Sequence, residues 1–206
     1  MKKLAILGSG GFAKEVAELA ELNGYRITAC YSLTGGAFEN LHRGYLPELE
    51  RDRGEFDGVL LGIGAVDRET LAKRRWIIDW VMERNLHCPP IVSPHALCAR
   101  GVTLGDGVVV AHGAVLGVDS NAGPFSMFNV GAIVGHDVSI GTNVIIAPGA
   151  FVGGSTSVGE NSLVGPLAKV LQGVALGSDT LVGIGCLAIR DLLPGQTVWP
   201  RLDRLA

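Results

Sequence analysis

The sequence predicts a small α/β unit followed by a parallel β-solenoid, and three observations carry that prediction. A strand, a glycine turn and an amphipathic helix follow one another within residues 1–24. From Val92 to Ala188 an aliphatic or small apolar residue returns every six positions. The chain has 206 residues of which 48% are hydrophobic, enough for two cores.

KKLAILG reads as a buried strand, GSGGFA as a turn, and FAKEVAELAELNG as a helix stopped by Gly24. RITACYS is the second strand. In this βαβ opening Gly8, Gly10 and Ala13 fit G-x-G-x-x-G/A, where backbone N–H groups and a helix N-terminus can hold a phosphate. The same glycines also suit a plain tight turn. A dinucleotide site wants an acidic residue about 20 positions on, whereas the second strand ends in Cys30, Tyr31, Ser32 and Leu33, which argues against NAD. FDGVLLGIGAV is a third strand with a glycine turn at Gly62 and Gly64. The helix after it has Asp67 as N-cap and Leu71, Ile77, Ile78 and Val81 on its apolar side. Trp76 and Trp80 are expected to pack, and a ligand is expected at the carboxyl ends of the strands near Gly10, Ser32 and Gly64.

In the second part, 17 successive hexad positions are all non-polar, and the next place is Gly or Ala in 13 of them. The fifth place is small or β-branched until Leu192. A helix has period 3.6 and a strand meander needs only alternation. A strict period of six specifies short strands and tight turns whose aliphatic side chains stack coil upon coil.

Composition narrows the function. Net charge is −3 and the 17 Lys and Arg form no dense block, so no nucleic-acid partner is expected. The opening MKKLAILGSGG imitates a signal peptide, but glycines interrupt its apolar run, and no window approaches a membrane span. The four cysteines lack metal-type spacing and read as buried thiols of a cytoplasmic protein. His42 reads as a surface residue and His87 as linker; His95, His112 and His136 are expected at solenoid corners. Those three lie well apart in sequence, with no close pair to begin a three-histidine zinc site.

The chain resembles the bacterial sugar acyltransferases that join a Rossmann-like domain to a hexapeptide-repeat left-handed parallel β-helix. That family includes nucleotide-linked amino-sugar N-acetyltransferases and sialic acid O-acetyltransferases. The resemblance lies in GSGGFAKEVAE, the GIG turn, IVSPHA, the Asn129–Asp137 segment and the terminal hexads. It implies a Rossmann-like domain at residues 1–87, a left-handed β-helix at 88–206 with three hexads per coil, and a homotrimer. It also implies acetyl-CoA as co-substrate, with no metal.

By the same resemblance His136, Asp137 and Asn129 form the catalytic set, with His136 as general base. An ordinary imidazole, with a pKa of about 6.5, can take the proton of an amine or hydroxyl attacking a thioester, oriented by a neighbouring carboxylate. Gly10, Gly11, Phe12, Ser32 and Gly64 are expected to bind the substrate, and Ile145, Gly154, Pro166 and Ile184 the coenzyme. The chain departs from the family at Ile145, where some members have a second His, at Pro166, which has no N–H, and at Ser32 and Leu33, where acidic residues hold the nucleotide. The ending VWPRLDRLA departs as well. The expected activity is acetyl transfer to the amino group of a nucleotide-linked amino sugar for surface polysaccharide or glycoprotein. Sugar O-acetylation of the sialic acid type, or a non-catalytic binding trimer, are the alternatives.

Overall fold

The computed structural model describes residues 1–33 and 35–200; residues 201–206, most of the divergent ending, lie outside them. The first unit is built on β1 (Lys3–Leu7), α1 (Gly11–Leu22), β2 (Arg26–Tyr31), a short α2 (Leu46–Arg51), β3 (Gly58–Leu61) and α3 (Arg68–Glu83). The strands form a parallel sheet in the order β2-β1-β3. Four of the five residues of the central strand β1 and all of the edge strand β3 are buried, since parallel strands are covered on both faces. At the start of α3 the Asp67 carboxylate accepts the Thr70 backbone N–H at 2.8 Å, the expected N-cap.

The second part is a parallel β-solenoid. Its eighteen described strands are two residues long, from Ile91–Val92 to Thr197–Val198, and stack into three sheets of seven, six and five. Met127 pairs with Ile145, Ile133 with Phe151 and Ser139 with Ser157, each partner three hexads further along the chain. Three hexads therefore close one coil, and the seven-stranded sheet makes about six turns.

Each place in the hexad has one task. The first and fifth places point inward: Val134, Ile140, Ile146 and Val152, with Val138, Val144 and Ala150, are all buried in one core. At the fourth place, from Gly101 to Gly185, φ lies between 56° and 78°. Gly, Asn and Asp dominate there because they tolerate the left-handed region. The sixth place points outward and distinguishes the three faces. On the seven-stranded face Val109, Met127, Ile145, Leu163 and Leu181 are buried against Leu4, Ile6, Ala13 and Val16 of the first unit. On the six-stranded face Leu97, Ile133, Phe151 and Leu187 are exposed. The five-stranded face presents Thr103, Asn121, Ser139 and Ser157.

Two expectations change. The hexad register fails after Ala188, because Leu192 bridges to Leu176, short of a full coil, and opens a new side instead of filling a fifth place. Cys98 is exposed, unlike Cys30, Cys88 and Cys186. It occupies an inward place in the first coil, which has a neighbouring coil on one side only. Among the described residues no helix is long and apolar enough to cross a membrane.

The first unit is locked onto the solenoid by an arginine within the apolar stripe of α3. Arg74 is wholly buried; its Nε donates to the Ile63 carbonyl at 2.8 Å, one Nη to the Phe125 carbonyl at 2.8 Å, and the other to Asn143 Oδ1. Asn143 Nδ2 in turn donates to the Leu71 carbonyl and to Asn161 Oδ1. Burial pulls the Arg74 pKa from 12.5 down to about 9, which still leaves it protonated at neutral pH. Arg74→Met removes the donors and leaves three buried acceptors without them, so it is expected to cost about 3 kcal/mol in urea unfolding. A cost under about 1 kcal/mol would mean that the desolvation of the guanidinium cancels its three bonds.

Candidate active site

The corner that follows strand Ile133–Val134 holds His136 and Asp137, two of the three expected catalytic residues. Asp137 occupies the left-handed fourth place of its hexad, with φ 56°, and His136 precedes it. The backbone there is tied to the coils on both sides: the Asp137 N–H donates to the Val118 carbonyl at 2.9 Å, and the His136 carbonyl accepts the Ser155 N–H at 2.8 Å. His136 Nδ1 lies 2.7 Å from Asp137 Oδ2, and both side chains are more than half exposed. With the carboxylate ionised, Nδ1 is the donor and Nε2 keeps its lone pair. That nitrogen looks onto Gly154, one coil further along.

Gly154 leaves the room that the ring occupies. A Cβ at Gly154 would lie 2.6 Å from His136 Nε2, so any side chain there displaces the imidazole. This glycine does not have a left-handed φ; close approach alone requires it.

Asn129 lies at the other end of the same solenoid face, on the corner that precedes Ile133–Val134. It lines a cleft of about 320 Å³ with Val130 and Pro148, facing Phe12, Glu15 and Gly64 of the first unit. The structure therefore brings Asn129 together with Phe12 and Gly64, and places His136 and Asp137 on a different corner of the prism. Ser32 lines a second cleft of about 390 Å³, on the α3 side, with Gly8, Ser9, Leu33 and Trp76. Between the two clefts Gly10, the N-cap of α1, and Gly11 have no side chain over them; a Cβ at either would meet nothing within 4 Å.

The expected coenzyme residues also divide. Gly154 stacks on His136, with the Gly173 N–H donating to its carbonyl. Pro166 follows Pro148 on the Asn129 corner, and its carbonyl accepts the Gly185 N–H at 2.9 Å, beside the exposed Ile184. Ile145 is a correction: its side chain is 1% exposed beneath the first unit, and its N–H already donates to the Ser162 carbonyl at 2.9 Å. An outward residue on the covered face is out of reach of a coenzyme.

Sequence reading missed three features. Arg74 was legible as a charge interrupting the Leu71–Ile78 stripe. Trp76 was expected to pack, but is 55% exposed and lines the α3-side cleft, whereas Trp80 is half-buried under the Arg84 guanidinium, 4.2 Å from its ring centre. The division of faces by the sixth place is visible in the hexads once successive coils are aligned. The His95 and His112 rings lie 5.6 Å apart, tilted by 45°, with Ser93 Oγ 2.6 Å from His112 Nδ1, and among the described residues no group of three donors could hold a metal.

No protein-family profile and no curated protein matches the chain. Solved structures do. GDP-perosamine N-acetyltransferase from Caulobacter crescentus, solved with CoA and GDP-perosamine, is 28% identical over 96% of this chain and 93% of that one, with a TM-score of 0.87. The acetyltransferase domain of PglB from Neisseria gonorrhoeae, solved with acetyl coenzyme A, is 28% identical over 95% of both chains, with a TM-score of 0.85. The chain matches the sugar N-acetyltransferases. WeeI from Acinetobacter baumannii, 20% identical over 96% of both chains with a TM-score of 0.80, shares the fold. The likeness to these acetyltransferases covers the first unit as well as the solenoid.

Gly154→Ala is expected to shift the His136 imidazole signals in the NMR spectrum while those of the other four histidines stay in place. Unchanged His136 signals would mean that the ring does not rest on Gly154.

Proposed function

We propose that the chain transfers the acetyl group of acetyl-CoA to the amino group of a nucleotide-linked amino sugar. One observation carries the reading: the full-length likeness to acetyltransferases solved with coenzyme and nucleotide sugar, joined to a solenoid corner where His136 Nε2 is free and Nδ1 is held by Asp137. Surface polysaccharide or glycoprotein is the destination of the sugar in this reading, and its two substrates and free thiols suit the cytoplasm.

The two parts divide the work. Residues 1–87, a Rossmann-like domain of three strands, hold the nucleotide at the carboxyl ends of the sheet, and residues 88–206, a left-handed β-helix, carry the transfer. The nucleotide sugar runs from the Ser32 cleft across Gly10 and Gly11 to the Asn129 cleft, where Phe12 and Gly64 form the opposite wall. The unblocked N–H groups at the start of α1 favour the phosphates in between.

The amine attacks the thioester carbonyl in its neutral form, and as the C–N bond forms the nitrogen must shed one proton. His136 Nε2 takes that proton, the tetrahedral adduct collapses with cleavage of the C–S bond, and the imidazolium returns the proton to the departing thiolate. Asp137 keeps the tautomer and balances the imidazolium charge. His136→Ala is expected to lower the release of CoA thiol with nucleotide-linked 4-amino sugars by at least about 100-fold. A loss below about threefold would remove His136 from the mechanism. Sugar O-acetylation is the second reading, favoured by Ser32 and Leu33 standing where amino-sugar enzymes have acids; the same assay with sialic acid separates the two.

The base and the Asn129 cleft occupy opposite corners of one face, so we assign the complete site to two neighbouring subunits of a homotrimer. The face between those corners is the one that leaves Ile133, Phe151 and Leu187 exposed, a patch that association would cover. Acetyl-CoA then lies between subunits, touching Gly154 of one and Pro166 and Ile184 of the next. Mixing His136→Ala and Asn129→Ala subunits in equal amounts, with exchange, is expected to restore about a quarter of native activity, since about one interface in four combines the two intact halves. No recovery in a mixture shown to exchange would place the whole site within one chain.

A further inference from the structure

We propose that Trp76 is the surface on which this protein stacks the base of its substrate, with Lys73 one helical turn away facing the phosphates. The proposal rests on the nucleotide-sugar reading and adds how the base is read.

Helix α3 buries Leu71, Ile77, Ile78 and Val81, yet leaves Trp76, one of its two tryptophans, 55% exposed. The indole is not simply at the surface; it lines the 390 Å³ cleft at the carboxyl ends of β1, β2 and β3, with Leu7, Ser32, Leu33 and Ile63. Among the described residues no ring or cation covers it, whereas Trp80 carries the Arg84 guanidinium. An open aromatic face inside a mostly apolar concavity has a missing partner that is flat and apolar on its faces. A nucleobase has that shape, and the ends of parallel strands are where open α/β sheets bind nucleotides.

Charge supports the same occupant. Among the described residues Lys73 is the one charged side chain lining the cleft, three positions before Trp76 and on the same side of α3. Its ammonium meets Glu69 at 2.7 Å, but both side chains are more than two-thirds exposed, and such a pair yields readily to a diphosphate. No carboxylate among the described residues lines the cleft to accept the ring N–H of a uracil, thymine or guanine. With no charged acceptor for a base edge, the π face that every base has carries most of the recognition, and selectivity among bases is weak. Discrimination then moves to the sugar, in the cleft beside Asn129.

The experiment is calorimetric titration of the full chain with UDP, dTDP, GDP and uridine. The three diphosphates are expected to bind within about tenfold of one another, and Trp76→Ala to weaken each by about 5- to 100-fold. Trp76→Phe should recover most of that loss, which excludes misfolding as its cause, and Lys73→Met should weaken UDP while leaving uridine unchanged. Native affinity in Trp76→Ala, a preference above about 100-fold for one base, or no diphosphate binding by the native chain would each overturn the proposal. Acetyl transfer is measured separately: transfer that is intact with Trp76 irrelevant sinks this inference alone, and stacking without transfer to any amino sugar sinks the proposed function alone.

Discussion

The architecture depends on one buried cation. Arg74 lies where α3, the turn after β3 and a solenoid coil meet, and it has only neutral acceptors: two carbonyls and an amide. A guanidinium taken wholly out of water is costly, and geometry that satisfies its donors is what offsets that cost. The acceptors are accordingly constrained. Phe125 stands in the left-handed region with φ 56°, a conformation that bulky residues avoid, yet its ring is buried among residues of the first unit and its carbonyl is aimed at Arg74. Ile63, the third acceptor's residue, belongs to the turn that forms a wall of the Trp76 cleft, and Gly64 beside it forms a wall of the Asn129 cleft. The contact that joins the two parts thus also positions walls of both clefts.

A solenoid repeats its backbone with each coil, so function enters through the places in the hexad that point away from the core. The first and fifth places are committed to packing and the fourth to a turn. The third place holds His136, Gly154 and Pro166, and the sixth decides what each flat face touches. The three sixth-place rows differ: one is covered by the first unit, and of the two left open one is largely apolar and the other polar. A charged side chain on the bare row, such as Lys169 between Phe151 and Leu187, is tolerated because a lysine can extend its stem along apolar neighbours.

What the sequence made legible follows from the same division. Period-six repetition is long-range regularity written locally, so the solenoid, its core positions and the isolated His136–Asp137 pair could be read without a structure. Strand, turn and helix signals at Leu4–Leu7, Gly8–Gly11 and Asp67 are equally local. Arg74 was not legible as a clamp, because its acceptors lie 11, 51 and 69 residues away. Ile145 was misread for the same reason: the first and last residues of a hexad look alike until one knows which face another unit covers. Trp76 was assigned to packing by its spacing from Trp80, and spacing along a helix does not say whether a neighbour is there to pack against. The break in register at Leu192 follows from a shortened last coil that the apolar character of the position conceals.

The separation of His136 from the Asn129 cleft also bears on how little the His136 corner has of its own. His136 has one fixed partner, Asp137, and one neighbour without a side chain, Gly154, on a backbone bonded to the coils before and after it. Such a corner cannot close around a substrate; it can only present a lone pair in a set direction. The first unit, by contrast, has two clefts, and among the described residues that line them there is no histidine. Each part lacks what the other has, and a single prism keeps them at opposite edges of one apolar face. In the proposed trimer, covering that face with a second copy would hide the hydrophobic row and bring the His136 lone pair toward the neighbour's Asn129 cleft in the same step, so assembly and completion of the site would coincide.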